Sequence, residues 1–383
     1  MKKKVLFVNG HLNTGGVEKA LVDVLIHLDD SKYEVDLLLL EELGSFAPEL
    51  PKSVNIQMHS LKNTYGRLWK CLIRNIKERD WFSLGMRLIL LMRRLFGPKS
   101  IALAGKLLTE GKEYDCVVGF RSGICSEIAV YAVKARRRVI WWHHGDVDVD
   151  MAAYKQVASA SDWVVAVSEA CRKMLLEIMP GFDKRIIVVP NMLDVEAIET
   201  KSEAFIPYQN QDSLQIVTVG RLSKEKHVEN AIYSAAYLKQ RGYTFCWHIV
   251  GDGNQRKELE ALAEKECVSD CVQFEGDCVN PYPYMKHANL MVHPSYVESQ
   301  GLSILEAMAL GVPCVVTKSR GPCEFIRDGE NGLLTEQNAQ SLAEQVERMM
   351  CDHELYEKIK RNTACPAQYR VENVTGMLEK LFD

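Results

Sequence analysis

Twice along the chain, short apolar runs rich in β-branched residues alternate with helical stretches, and this repetition restricts the fold more than any other feature. In the first half the strand-like runs are Val5–Val8, Val35–Leu40, Val54–Met58, Cys116–Phe120, Val139–His143, Trp163–Val167 and Ile186–Val189. Several are apolar at every position, as parallel strands covered on both faces require. Helical patterns lie between them at Val17–His27, Ile124–Val133 and Ala170–Ile178. A polar, aperiodic stretch from Glu199 to Ser213 reads as a connection. The alternation then restarts with Ile216–Val219, Phe245–Val250, Val272–Phe274, Leu290–His293 and Cys314–Thr317. The chain therefore reads as an α/β protein of two Rossmann-like, doubly wound parallel-sheet domains.

The expected boundaries are 1–200 for an N-terminal domain, 201–365 for a second domain, and 366–383 for a helical tail. In that tail Val371, Val374, Leu378 and Leu381 recur at three and four residues, so it is expected to cross back onto the first domain. Ligands in such sheets bind beyond the carboxyl ends of the strands, and two facing domains create a cleft there. Every loop that follows a strand is thus a candidate, and other residues rank lower.

The 383 residues suffice for two domains, and a net charge of −4 supplies no global field to recruit nucleic acid. The start, MKKKVLFVNG, reads as a first buried strand rather than a signal peptide, and no run approaches the length of a membrane span. The twelve cysteines are scattered through a large chain, and Cys116, Cys246 and Cys314 fall in apolar strand patterns. They read as reduced core residues of a cytosolic protein. Cys267, Cys271 and Cys278 lack the paired spacing of a zinc knuckle.

The richest segment is YVESQGLSILEAMALGVPCVVTKSRGPCEFIRDGENGLL, from Tyr296 to Leu334. Glu298 and Glu306 bracket seven residues, and Gly301 precedes an apolar helical run. A helix start offers open N–H groups to phosphate, and carboxylates accept hydrogen bonds from sugar hydroxyls. A ligand that needs both is a nucleotide sugar. Glu306 has a competing structural role, because Ser303 to Glu306 fits a capping box. Glu298 has no such local explanation.

Other strand-end loops fit the same ligand. Gly15 and Gly16 sit where the first strand hands over to the first helix, although G-x-G-x-x-G is absent. Arg221 and Lys226 follow the first strand of the second half and suit a diphosphate. His143 and His144 end a strand, and alternation sends them to opposite faces. Asp146, Asp148 and Asp150 invite a metal reading. They are read instead as the acidic first turn of a helix.

Residues 67–99 carry nine Lys and Arg against Glu78 and Asp80, interleaved with Trp69, Trp81, Phe82 and Phe96. That composition suits the plane of an anionic membrane surface, with a solvated basic helix pair as the alternative. No nucleic-acid reader motif is present.

With those residues in hand, the chain resembles the family-4 retaining glycosyltransferases of the GT-B fold over nearly its whole length. The carriers, in chain order and in the order the family pattern expects, are Gly15-Gly16, VVPN at Val188–Asn191, GRL-x-x-EK at Gly220–Lys226, VGDG at Val250–Gly253, and Glu298-x7-Glu306, the most specific of them. The resemblance implies that Gly15, Gly16, Arg221, Lys226 and the amides near Gly301, Leu302 and Ser303 hold the donor diphosphate. It implies that Glu306 binds the ribose and that Glu298 contacts the transferred sugar beside the reacting centre. It places His144, ahead of His143, as a catalytic residue. Ser299 and Gln300 replace the Pro-Phe of many relatives and would line the sugar pocket.

The implied activity is metal-independent, cofactor-free retaining transfer of a hexosyl unit from a UDP-sugar or similar donor. The acceptor would be lipid-linked or a polysaccharide, at the cytoplasmic face of a membrane. A nucleotide-sugar epimerase on the same fold and a non-catalytic sugar-nucleotide-binding subunit are the alternatives.

Overall fold

The computed structural model describes residues 2–145, 150–208 and 213–382. The chain divides into two compact units, one of Met1–Asn13, Val17–Pro190 and Val374–Asp383, the other of Thr14–Gly16 and Asn191–Asn373. The division falls at Pro190, before the polar stretch, so the helix Val195–Ser202 belongs to the second unit.

In the first unit seven strands pair throughout in parallel: β1 (Lys3–Asn9), β2 (Tyr33–Leu39), β3 (Asn55–Met58), β4 (Glu113–Gly119), β5 (Lys134–Trp142), β6 (Trp163–Ala166) and β7 (Ile186–Val188). Their order is β3-β2-β1-β4-β5-β6-β7, so the winding reverses between β1 and β4. Val5, Leu6, Phe7 and Val8 are all fully enclosed, which explains an apolar run with no alternation. β5 begins earlier than its apolar core because Lys134–Arg138 project from a partly exposed strand end. The helical pattern at Ile124–Val133 is split: Ile124–Glu127 is α-helical and Ile128–Ala132 widens into a π turn.

The C-terminal helix, Val371–Phe382, brings Val374, Leu378, Leu381 and Phe382 into the core of this unit. The Phe382 ring meets Phe7 at 6.0 Å and Tyr33 at 5.6 Å, both edge-on, a geometry aromatic pairs favour. Arg137 Nη1 donates to the Leu381 carbonyl at 3.2 Å, and Lys32 Nζ pairs with Glu379 at 2.7 Å. The tail is not helical from Pro366 onward: Ala367–Tyr369 form one 3-10 turn, and residues up to Asn373 stay with the second unit.

The second unit has a six-stranded parallel sheet: β8 (Leu214–Val219), β9 (Phe245–Val250), β10 (Val272–Gly276), β11 (Leu290–His293), β12 (Cys314–Thr317) and β13 (Leu333–Thr335). Its order, β10-β9-β8-β11-β12-β13, reverses between β8 and β11. Trp247 is fully enclosed and its indole N–H donates to Thr218 Oγ1 at 3.0 Å. Burying such a ring contributes on the order of 4 kcal/mol by area. Side-chain caps start the flanking helices: Asp194 accepts from Ala197 N, and Asn338 accepts from Ser341 N. Each cap is worth ~1 kcal/mol.

Candidate functional site

The order of the second sheet sets the site. The two strands at its reversal, β8 and β11, release adjacent loops from their carboxyl ends, the place where open α/β sheets hold ligands. The loop after β8 runs through Gly220, Arg221 and Leu222 into a 3-10 turn at Lys224–Lys226. It is stitched to the loop after β9, since Gly220 N donates to Val250 O and Leu222 N to Asp252 O. The contact is backbone on backbone: a Cβ on Gly251 would lie 2.0 Å from Gly220 O, at a φ of +140°. This is the physical reason that the Gly220–Leu222 and Val250–Gly253 motifs occur together.

The loop after β11 docks on that turn. Tyr296 N and Ser295 Oγ both donate to the Glu225 carbonyl, and the Tyr296 ring stacks on His227 at 3.6 Å. Glu298 is thereby carried to Lys226: Lys226 Nζ lies 2.5 Å from Glu298 Oε1. His293, the last residue of β11, approaches the same oxygen through Nε2 at 2.7 Å. Glu298 is only 8% exposed. Burial alone would raise its pKa, but Lys226 and His293 outweigh that and hold the carboxyl far below its ordinary range. Glu298 is therefore a fixed anion that offers Oε2 as an acceptor. His293 was not singled out in the sequence. The available signal was a histidine at the carboxyl end of a strand.

Gly301 follows with φ +87°, and the helix Leu302–Ala309 starts from it. The Gly301 carbonyl already receives Ile304 N and Leu305 N, which leaves the N–H groups of Leu302 and Ser303 as the open helix start. Because the cap is Gly301, Ser303 lies inside the helix and the Ser303–Glu306 capping box is not formed. Glu306, buried in the second turn, accepts from the Tyr282 hydroxyl at 3.0 Å.

The adjoining residues divide. Ser299 is half-buried beside Glu298. Gln300 is enclosed, and both ends of its amide are committed to one residue: Oε1 accepts from Asn191 N at 2.8 Å and Nε2 donates to Asn191 O at 3.0 Å. That arrangement makes Gln300 a clamp on the backbone of Asn191, using one N–H and one oxygen lone pair of its amide. Arg221 is exposed and pairs with no carboxylate among the described residues. Thr14–Gly16, which contain Gly15, group with this unit. A Cβ on Gly16 would stand 3.7 Å from Leu302 Cδ1, beside the helix start.

In the first unit β5 ends at Trp142, one residue short of the expected run, and His143 and His144 follow it with their rings in different surroundings. His143 packs on Phe120 at 4.7 Å and lies parallel to Trp141. Desolvation there, aided by His144, drives its pKa down to about 3 and keeps it neutral. The ring of His144 turns the other way, and its Nε2 lies 2.6 Å from Ser122 Oγ on the loop after β4. The Trp142 indole N–H donates to the His144 carbonyl at 2.7 Å and fixes the strand end. Asp146 and Asp148 lie outside the described residues. Asp150 caps the helix Met151–Ala160 by accepting from Ala152 N and Ala153 N. No group of three metal-ligating side chains occurs among the described residues.

Comparison with known proteins gives two family matches in tandem. Residues 14–197 match the family described as Glycosyltransferase Family 4, and residues 200–364 match Glycosyl transferases group 1. A lipopolysaccharide core biosynthesis glycosyltransferase, LpsE of Rhizobium meliloti, is 31% identical over 46% of this chain and 50% of its own. An alpha-D-kanosaminyltransferase of Streptomyces kanamyceticus is 33% identical over 45% of each chain. The chain thus spans about half the length of the curated relatives it matches. The crystal structure of HepE from Anabaena in complex with UDP-glucose shares the fold, with a TM-score of 0.73 at 19% identity over 99% of this chain and 98% of that one.

Proposed function

The chain belongs to the family-4, group 1 glycosyltransferases of the GT-B fold, and on that premise we propose that it moves a hexosyl unit from a UDP-sugar to a lipid-linked or polysaccharide acceptor, retaining anomeric configuration and using no metal. The acceptor belongs to cell-surface glycan synthesis, in keeping with relatives named for lipopolysaccharide core biosynthesis. The protein works at the cytoplasmic face of a membrane, with residues 67–99 against its anionic surface.

One observation carries this reading: the two loops at the strand reversal bring Lys226 and Glu298 together beside an open helix start. A cation, a fixed carboxylate and free N–H groups at one strand edge match a sugar diphosphate. Lys226 carries three N–H donors, so one can serve Glu298 while others meet a phosphate oxygen. Arg221 and the N–H groups of Leu302 and Ser303 share the remaining charge. Glu298 Oε2 accepts from hydroxyls of the hexose, and Glu306 from the ribose.

The acceptor oxygen bonds to the anomeric carbon as the bond from that carbon to the diphosphate oxygen breaks. The electron pair leaves with the diphosphate, which also takes the acceptor proton. The residues position the reactants and stabilise charge on the leaving group. His144 donates to a hydroxyl beside the reacting centre.

Incubation with UDP-sugars and lipid-linked acceptors in EDTA tests the proposal. A glycosylated acceptor with stoichiometric UDP is the expected result. Epimerised donor without transfer, or donor binding without turnover, would replace it.

A further inference from the structure

Two consecutive helices of the first unit carry apolar stripes on their exposed faces. Leu68–Glu78 turns Cys71 and Asn75 inward and leaves Trp69, Ile73 and Ile76 in water. Those three positions are spaced i, i+4, i+7, so they form one stripe along the helix. Trp81–Phe96 buries Ser83, Met86 and Ile89 and exposes Trp81, Leu88 and Leu95, again on one face, with Phe96 at its end. Trp69 is 74% exposed, Trp81 64%, Leu95 75% and Phe96 73%. Indole and alkyl groups exposed in such numbers on two consecutive helices are the mark of an interaction site.

Charge decides what covers them. Arg67, Lys70, Lys77, Arg79, Arg94 and Lys99 are exposed, and none forms an ion pair among the described residues. Arg93 alone in this region is neutralised, by Glu127. A second copy seated face to face would set these cations against themselves. Nucleic acid would meet apolar stripes where its phosphates need cations. A bilayer rich in acidic lipid answers both features, since its headgroups take the cations and its acyl boundary takes the indoles and leucines. No helix among the described residues is long and apolar enough to cross a membrane.

We propose that the helix pair Leu68–Glu78 and Trp81–Phe96 docks the protein in the plane of an anionic membrane through the stripes Trp69/Ile73/Ile76 and Trp81/Leu88/Leu95. This deepens the lipid-acceptor reading above and rests on it for its purpose. The physical claim can still be tested without donor or acceptor.

The test is flotation of the full chain with phosphatidylglycerol–phosphatidylcholine vesicles and with phosphatidylcholine alone. Binding to the mixed vesicles, weakened by salt and absent from pure phosphatidylcholine, is expected. The double variant Trp81→Glu/Leu95→Glu should lower the vesicle-bound fraction at least about tenfold. Its positions are exposed, so its unfolding midpoint should match the parent. The charge reversal Lys70→Glu/Lys77→Glu should also weaken binding, by about tenfold.

Equal binding by parent and both variants would overturn the proposal, as would no binding to either vesicle. A parent that is dimeric in solution and becomes monomeric as Trp81→Glu/Leu95→Glu would overturn it in favour of a second copy. Vesicle binding without any sugar transfer would uphold this surface and sink the enzymatic reading. Transfer to a soluble acceptor without vesicle binding would do the reverse.

Discussion

His293 Nε2 lies 2.7 Å from Glu298 Oε1, the same oxygen that Lys226 Nζ approaches at 2.5 Å. Both donors therefore hold one edge of the carboxylate and leave the other for a ligand. His293 is itself enclosed, and its Nδ1 has no partner among the described residues. It acts through Glu298 as a positioning residue.

His293→Leu removes one of two donors from Glu298 without changing its charge partner. A hydrogen bond to an ionised group contributes ~1.5–3 kcal/mol, so kcat/KM for transfer should fall about 10–100-fold. His293→Gln keeps a donor and should recover part of the loss. Equal activity in the leucine variant would reduce His293 to core packing.

Glu298→Ala should abolish detectable transfer while the protein still folds. The variant leaves Lys226 without its buried partner, a loss that costs ~3–5 kcal/mol where no water can enter. Lys226 is partly exposed and can rehydrate, so the measured destabilisation should fall below that range. Circular dichroism and a transfer assay on the same sample check both halves. Turnover within about threefold of the parent would remove Glu298 from the mechanism.

Gln300→Ala separates a clamp from a sugar contact. It strips both partners from the buried backbone of Asn191, at ~1–3 kcal/mol for each unsatisfied group. The unfolding midpoint should drop by several degrees, about the shift that such an energy gives in a domain of this size. KM for the donor should stay within about twofold. A large change in donor preference at unchanged stability would return Gln300 to the sugar pocket.

These residues show what the sequence displays and what it hides. Buried parallel strands such as the Val5–Val8 part of β1, β11 and β12 are legible because both faces are apolar. β13 is not legible because three residues, Leu333–Thr335, carry no periodicity. The Lys134–Arg138 part of β5 is not legible because it pairs with β4 but not with β6, so its side chains stay partly exposed and need not be apolar. At the site, Lys226 and Glu298 were legible through spacing and loop position. The bond from Gln300 to Asn191 is not legible, because its partner is backbone more than a hundred positions away. The exposed apolar stripes of the two helices are legible only in composition, because which face each stripe occupies depends on tertiary packing.

The pH dependence of stability should be governed in part by His248, a buried imidazole away from the strand reversal. Its Nδ1 lies 2.7 Å from Glu275 Oε1 and its Nε2 lies 2.9 Å from Gln215 Oε1, with the Tyr208 ring 4.3 Å away. Burial disfavours the cation, but the side chains of Cys246 and Glu275 prevail and raise its pKa from 6.5 to about 9. The His248 hydrogen bond lowers Glu275 below its ordinary 4.5. A raised histidine pKa means that the folded state holds the proton more tightly than the unfolded chain. Its stabilisation is complete below 6.5 and is lost as pH rises through about 9. The lowered carboxylate works in the opposite sense: its stabilisation is present above 4.5 and is lost as pH falls through the folded value. The pair therefore contributes most between 4.5 and 6.5. The unfolding midpoint of the parent should decline between pH 6.5 and pH 9, and His248→Gln should flatten that decline. An unchanged slope in the variant would show that His248 is not protonated in the folded protein.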